Sequence, residues 1–228
     1  TPEYLKTFYL DHGHLERDIK SLDDILERER RFPNSSLDAK RIIGRIERLL
    51  GPSHSPGPRE VASVERSISK QMTGFEPVAA SFEDYSPPEG SFDAILMSQV
   101  LEHARDVDLW ARKAVRLLAP KGVLAIALPN FGSIFRYALQ ENEPYVIPPA
   151  HLNYFDARSL STLLSRRGYE VTEIQWVSRI DPNVVFRRVP ATRLLGQGIR
   201  LPLRLTLAMF DLLHLGMMLN VYARKGAR

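Results

Sequence analysis

The residues best placed to do chemistry sit where apolar runs end. Ser98-Gln99-Val100-Leu101-Glu102-His103 follows the apolar run Phe92 to Met97, and Pro129-Asn130 follows the run Val123 to Leu128. If both runs are parallel strands, these are their carboxyl ends, where α/β sheets hold their ligands. His151 is a further candidate, because an imidazole titrates near neutral pH and can accept a proton from a hydroxyl. A hydrogen-bonded structural role competes with that reading. His12, His14, His54 and His214 have no carboxylate or histidine partner at ligand spacing, and the chain has no cysteine. No metal is therefore expected.

The elements that must position these residues follow from the pattern between them. Phe92 to Met97 is short and almost wholly apolar, as in a strand buried on both faces of a parallel sheet. From Val107 the apolar positions Leu109, Trp110, Ala114, Leu117 and Leu118 recur at helical spacing, with Asp106 placed to cap the helix. Pro120-Lys121-Gly122 is expected to stop that helix, and Val123 to Leu128 to form a second buried strand. A strand–helix–strand crossover of this length is a βαβ unit, so the predicted class is α/β.

The ordered motifs carry a resemblance. The S-Q-V-L-E-H loop, the L-L-A-P-K-G turn and the P-N exit look like the second half of a class I S-adenosylmethionine-dependent methyltransferase. The stretch His151 to Leu160, H-L-N-Y-F-D-A-R-S-L, and Gly168-Tyr-Glu-Val171 are similar to the small-molecule group that includes the ubiquinone-biosynthesis O-methyltransferases. The likeness runs over residues 60–178. It implies a Rossmann-like sheet, S-adenosylmethionine as cofactor, and methyl transfer to a small or lipid-linked acceptor, expected at oxygen.

It also implies roles for residues. Val61 to Val64 would be the second strand, with Glu65 at its end accepting the ribose hydroxyls. Pro77 to Ala80 would be the third, with Ser81 where the family has an acidic residue and Phe82 beside the adenine or, equally, in the core. Ser98, Gln99 and Val100 would touch the cofactor's methionine or adenosine side. Glu102-His103 matches the family's E-H pair, expected to pack and to cap the next helix. His151 would be the acceptor-side base and Tyr154 its polar neighbour.

The remaining chain frames this core. Leu15, Ile19, Leu22, Ile25 and Leu26 mark an N-terminal helical stripe; Ser35 or Ser36 is placed to cap a helix from Leu37 to Leu50. The family's first strand and its G-x-G loop should come next, but Gly51 to Glu60 reads GPSHSPGPRE, and no G-x-G occurs in the first hundred residues. A strand, loop and helix need roughly 25 residues, so the first βα unit is expected to be missing. That supports a competing reading, a catalytically inactive methyltransferase-like interaction module. Further on, Asp156 should cap a helix over 157–167, Glu170 to Ser178 is β-rich, and 192–215 is an apolar helical stretch broken by Pro202. Met217 to Ala223 would close the sheet as an antiparallel edge strand. The expected organisation is a helical segment over 1–50, an α/β core over 51–178, and a helical insertion with the closing strand over 179–228.

Bulk properties bound the rest. With 228 residues, 44% of them hydrophobic, the chain can bury a proper core. The lack of cysteine excludes a disulfide framework, a thiolate zinc site and a cysteine nucleophile. The opening TPEYLKTFYLDHGH lacks the basic start and apolar core of a signal peptide, so a cytoplasmic location is expected. Net charge is only +4, yet beyond Val177 nine basic residues face two aspartates. Those arginines suit an anionic surface or an ordinary solvated face.

Overall fold

The computed structural model describes residues 34–51, 81–140, 143, 145–178 and 200–226. The chain divides into two compact units, Thr1–Pro88 and Glu89–Arg228. The expected strands over 61–64 and 77–80, the interval after Gly51, and the helices before residue 32 lie outside the described residues.

In the first unit, helix α1 spans Asn34–Leu50, so it starts before Ser35 and Ser36 rather than after them. Among its described side chains Ile42 and Ile46, four apart, are buried. Gly51, at φ 87°, closes it by donating its N–H to the Glu47 carbonyl at 3.0 Å, a backbone conformation that favours glycine.

The second unit is built on a four-stranded sheet. Strand β1 (Phe92–Ser98), helix α2 (Val107–Leu117) and strand β2 (Leu118–Pro129) form the expected βαβ unit, with β1 and β2 parallel. Asp106 caps α2, its Oδ1 accepting the Leu109 N–H at 2.8 Å. The helix ends at Leu117, earlier than Pro120: the residue before a proline is pushed out of the helical region, and Leu118 is already extended. Pro120-Lys121-Gly122 instead makes an irregularity inside β2, where the register with β1 shifts. A Cβ on Gly122 would lie 2.9 Å from the Ala119 carbonyl, so only glycine fits there. Val123 to Leu128 are all buried, and Val123, Leu124, Ile126 and Leu128 each contribute about 1.5–3 kcal/mol. In β1, by contrast, only Met97 is buried, which corrects the expectation of a strand covered on both faces.

Helix α3 (Ile134–Leu139) follows β2, and helix α4 (Ala157–Arg166) opens on a capping box between Asp156 and Ser159. Strand β3 (Tyr169–Val177) comes next, its Tyr169 hydroxyl donating to the Ala111 carbonyl of α2 at 3.0 Å. Asp108 of α2 pairs with Arg167 just past α4. Helix α5 (Arg200–Leu212) leads to strand β4 (Met218–Lys225). Pro202 does not break α5: it is the third residue, where a missing N–H costs no helical bond.

The strand order is β1-β2-β4-β3, and β4 is antiparallel to both neighbours. The closing strand is therefore not at the edge. Leu219, Val221, Tyr222 and Ala223 are all buried, the signature of an inner strand, and β3 takes the outer position. The architecture is a mixed α/β, Rossmann-like class I sheet. No described helix is long and apolar enough to cross a membrane.

Candidate active site

At the end of β1 the chain turns sharply. Gln99 adopts φ 55°, and both its backbone N–H and its side-chain amide donate to the Ala127 carbonyl of β2, at 2.8 and 3.3 Å. Ser98, Gln99 and Val100 are left exposed at the strand end, and Leu101–His103 forms a 3-10 turn. At the end of β2, buried Asn130 is held on every side. Its N–H donates to the Met217 carbonyl, its Nδ2 to the Gly216 carbonyl, both at 2.7 Å, and its Oδ1 accepts from Gly132 at 3.0 Å.

The segment before α4 crosses this edge. Leu152 and Asn153 donate their backbone N–H groups to the Glu102 carbonyl at 2.9 and 3.0 Å, and the Asn153 side chain donates to Ala104 at 2.7 Å. These bonds carry His151 onto the 3-10 turn, where its ring meets that of His103 edge-on at 4.8 Å. Each histidine has Nδ1 at 2.8 Å from a carbonyl, Tyr145 for His151 and Ala150 for His103. A carbonyl only accepts, so Nδ1 carries the hydrogen and Nε2 the lone pair in both neutral rings. Glu102, His103 and His151 each offer one ligand atom, and these lie within 4.8 Å of one another.

Glu102 is 2% exposed, and neither carboxylate oxygen has a hydrogen-bond partner among the described residues. Burial raises its carboxyl from an ordinary 4.5 to about 7, with its own backbone N–H offsetting only part of the shift. Glu143 is pushed up by burial too, against the lowering effect of N–H groups at Tyr145 and Val146. Burial and then the Glu143 charge raise Tyr154, opposed by the backbone at Ile147. Glu102, Asn130, Arg136, Glu143, His151 and Tyr154 help line a cavity of about 10 Å³, room for one water. The edge thus gathers a basic imidazole nitrogen, a carboxyl poised near neutrality and a water-sized polar space, the parts a proton acceptor needs. The same trio has the donor types of a divalent-cation site. The expectation of no metal rested on four other histidines; this cluster is brought together only by tertiary contacts.

The structure joins the 98–103 loop to His151, both in the second unit. Ser81 and Phe82 lie in the first unit, on a turn where the Ser81 hydroxyl donates to Asp84 Oδ2 at 2.8 Å and accepts its N–H at 3.1 Å. Glu65 lies outside the described residues. Glu102 does not cap α2, which Asp106 does; its carboxyl is buried in the site instead. Glu143 and Asn130 complete the lining, and the sequence marks Glu143 by nothing beyond its place in a polar run.

Comparison with known proteins identifies the family. Residues 53–174 match the family model described as a methyltransferase domain. A Mycolicibacterium smegmatis protein named "Probable S-adenosylmethionine-dependent methyltransferase" is 29% identical over 86 residues, 38% of this chain and 32% of that protein. The match thus spans about a third of that relative's length. The crystal structure of a SAM-dependent methyltransferase from Archaeoglobus fulgidus is similar in fold, with a TM-score of 0.51 at 16% identity over 97% of this chain and 99% of that one.

Proposed function

The chain belongs to the methyltransferase domain family, and from that premise we propose that it moves a methyl group from S-adenosylmethionine to an oxygen of a small or lipid-linked acceptor. His151 receives the acceptor's proton. The observation that carries this reading is the tautomer of His151: Nδ1 donating to the Tyr145 carbonyl makes Nε2 the basic nitrogen, beside Glu102 and a water-sized space. S-adenosylmethionine, when bound, supplies a methyl group already activated by a sulfonium. What remains for the protein is to position the acceptor and take its proton.

The described residues fit such a cofactor at the end of β1. Ser98, Gln99 and Val100 are exposed there, with Gln99 in a left-handed conformation. In this proposal they contact the methionine or adenosine side, Glu65 accepts the ribose hydroxyls, and Phe82 lies by the adenine. The Ser81 hydroxyl is committed to Asp84, so Ser81 contributes through that turn rather than as a substitute carboxylate. The organisation into 1–50, 51–178 and 179–228 and a cytoplasmic setting belong to the same proposal.

Two measurements test it. S-adenosylhomocysteine at about 100 times its dissociation constant should stabilise the chain by about 2.7 kcal/mol, and Glu65→Ala should abolish the gain. Methyl transfer from labelled S-adenosylmethionine should appear with a phenolic or catecholic acceptor. No stabilisation and no transfer would overturn the reading in favour of an inactive interaction module. The ten-residue interval Gly51 to Glu60, lacking a G-x-G loop, is what favours that second reading.

A further inference from the structure

We propose that Glu102, His103 and His151 bind a zinc-class divalent cation, and that a bound cation excludes proton acceptance by His151. Among the described residues this is the one place where three histidine or carboxylate side chains converge, each with a ligand atom within 4.8 Å of the others. Glu102 is what points to a ligand. It is 2% exposed, and neither carboxylate oxygen has a hydrogen-bond partner among the described residues. A desolvated carboxylate without a partner is costly, and a cation beside it offsets that cost. The Glu102 carbonyl also accepts the N–H groups of Leu152 and Asn153, so the segment carrying His151 is fastened to Glu102 itself.

The histidines are held as ligands are. Each has Nδ1 at 2.8 Å from a carbonyl, Tyr145 for His151 and Ala150 for His103, which assigns the hydrogen to Nδ1 and the lone pair to Nε2. Such a bond behind the ring is the usual support of a metal-bound imidazole, because it fixes tautomer and orientation. The donors select the cation. Two imidazole nitrogens and one carboxylate oxygen suit zinc and its first-row neighbours, whereas magnesium and calcium take oxygen shells. Donors on a tetrahedral ion lie roughly 3.4 Å apart, so the trio closes by about 1–1.5 Å, within reach of side-chain rotation. The adjoining cavity, about 10 Å³, has room for one water as fourth ligand. Arg136 on its lining opposes a cation, and Glu143 on the same lining offsets Arg136.

The consequence is chemical. His151 Nε2 is the atom proposed to take the acceptor's proton, and one lone pair cannot hold a proton and a cation together. The exclusion rests on that catalytic reading; cation binding does not.

Titration calorimetry of the full chain with zinc chloride, without cofactor or acceptor, tests the binding. A single saturable site is expected, and magnesium chloride should give none. Glu102→Gln keeps the shape but removes the anionic donor, and should weaken zinc binding by about tenfold or more, as should His103→Ala. Cobalt(II) in place of zinc should give a visible absorption band that Glu102→Gln loses. The proposal is overturned if the parent chain binds no zinc, or if Glu102→Gln binds it as the parent does, which would put the ion on other histidines. In a methyl-transfer assay, saturating zinc should cut turnover by about tenfold or more, and a chelator should restore it. Unchanged or faster turnover would overturn the exclusion. A chain that binds zinc through the trio yet transfers no methyl group would uphold the cation site and remove the base on which the exclusion rests.

Discussion

Two stretches a few residues apart, both at the carboxyl edge of the sheet, differ in how they are held. Glu102, His103 and His151 are packed inward, with backbone bonds fixing the turn and the crossing segment to each other. Ser98, Gln99 and Val100 are exposed, held by the last pair of the β1–β2 ladder, by the bonds of Gln99 to Ala127 and by one backbone bond from His103 to the Val100 carbonyl. The difference separates preorganisation from adaptability. The inner cluster is finished before any ligand arrives, so substitutions there should change chemistry and stability together or in a predictable split. The outer ledge costs little to alter and should reveal itself through binding alone.

The largest effect is expected inside. His151→Gln keeps a side chain that can donate to the Tyr145 carbonyl but removes the basic nitrogen. Turnover of an oxygen acceptor should fall by about 10²–10⁴-fold, as for loss of a general base. S-adenosylhomocysteine affinity should stay within about twofold, being set on the ledge. A fall in affinity matching the fall in turnover would erase the distinction between the two stretches.

Glu102 gives the next effect, through pH. Its carboxyl is raised in the folded chain to about 7 from 4.5, so between those values the folded state keeps a proton that the unfolded state has released. Stability should therefore fall as pH rises through this window, by about 3 kcal/mol if the whole shift is expressed. Glu102→Gln should remove most of that slope and melt higher than the parent at pH 8. Equal slopes for the two chains would mean the carboxyl has a partner in solution.

How much of this was legible in the sequence depends on whether the determinant is local. The run Val123 to Leu128 announced β2, and Asp156 announced α4, because burial on both faces and a capping side chain are written in adjacent residues. The family likeness pointed to the 98–103 loop and to His151, and the structure brings these two together. The place of β4 was misjudged because strand neighbours are chosen by non-local pairing, although its buried Leu219 to Ala223 carried the sign of an inner strand. The E-H pair was visible, but nothing near it shows that the Glu102 carboxyl is desolvated. That follows from Leu152 and Asn153 docking on its carbonyl.

Asn130 tests how the inner side is supported. Asn130→Ala removes both side-chain bonds and leaves the Gly216 carbonyl and the Gly132 N–H without these partners in a buried place. A destabilisation of about 2–3 kcal/mol is expected, read from denaturant midpoints at constant m. Asn130→Asp keeps the acceptor for Gly132 but sets a carboxylate against the Gly216 carbonyl, and should not rescue the loss. A cost below about 0.5 kcal/mol would show that this loop is held by its backbone bonds alone.

The smallest effect on stability, and the cleanest test of the ledge, is Gln99→Gly. The native residue holds φ 55°, a conformation glycine adopts without penalty, so backbone strain is relieved where the side-chain bond to Ala127 is lost. The backbone N–H of residue 99 keeps its own 2.8 Å bond to that carbonyl. Relief of a non-glycine left-handed conformation and loss of one long, half-buried hydrogen bond are each of order 1 kcal/mol and opposite in sign. Stability should change by less than about 0.5 kcal/mol. If the Gln99 side chain contacts the cofactor, S-adenosylhomocysteine should bind about 5–10-fold more weakly, the worth of one hydrogen bond. Unchanged affinity would leave Gln99 a loop residue only. A large loss of stability would mean that the ledge, like the inner cluster, is part of the frame.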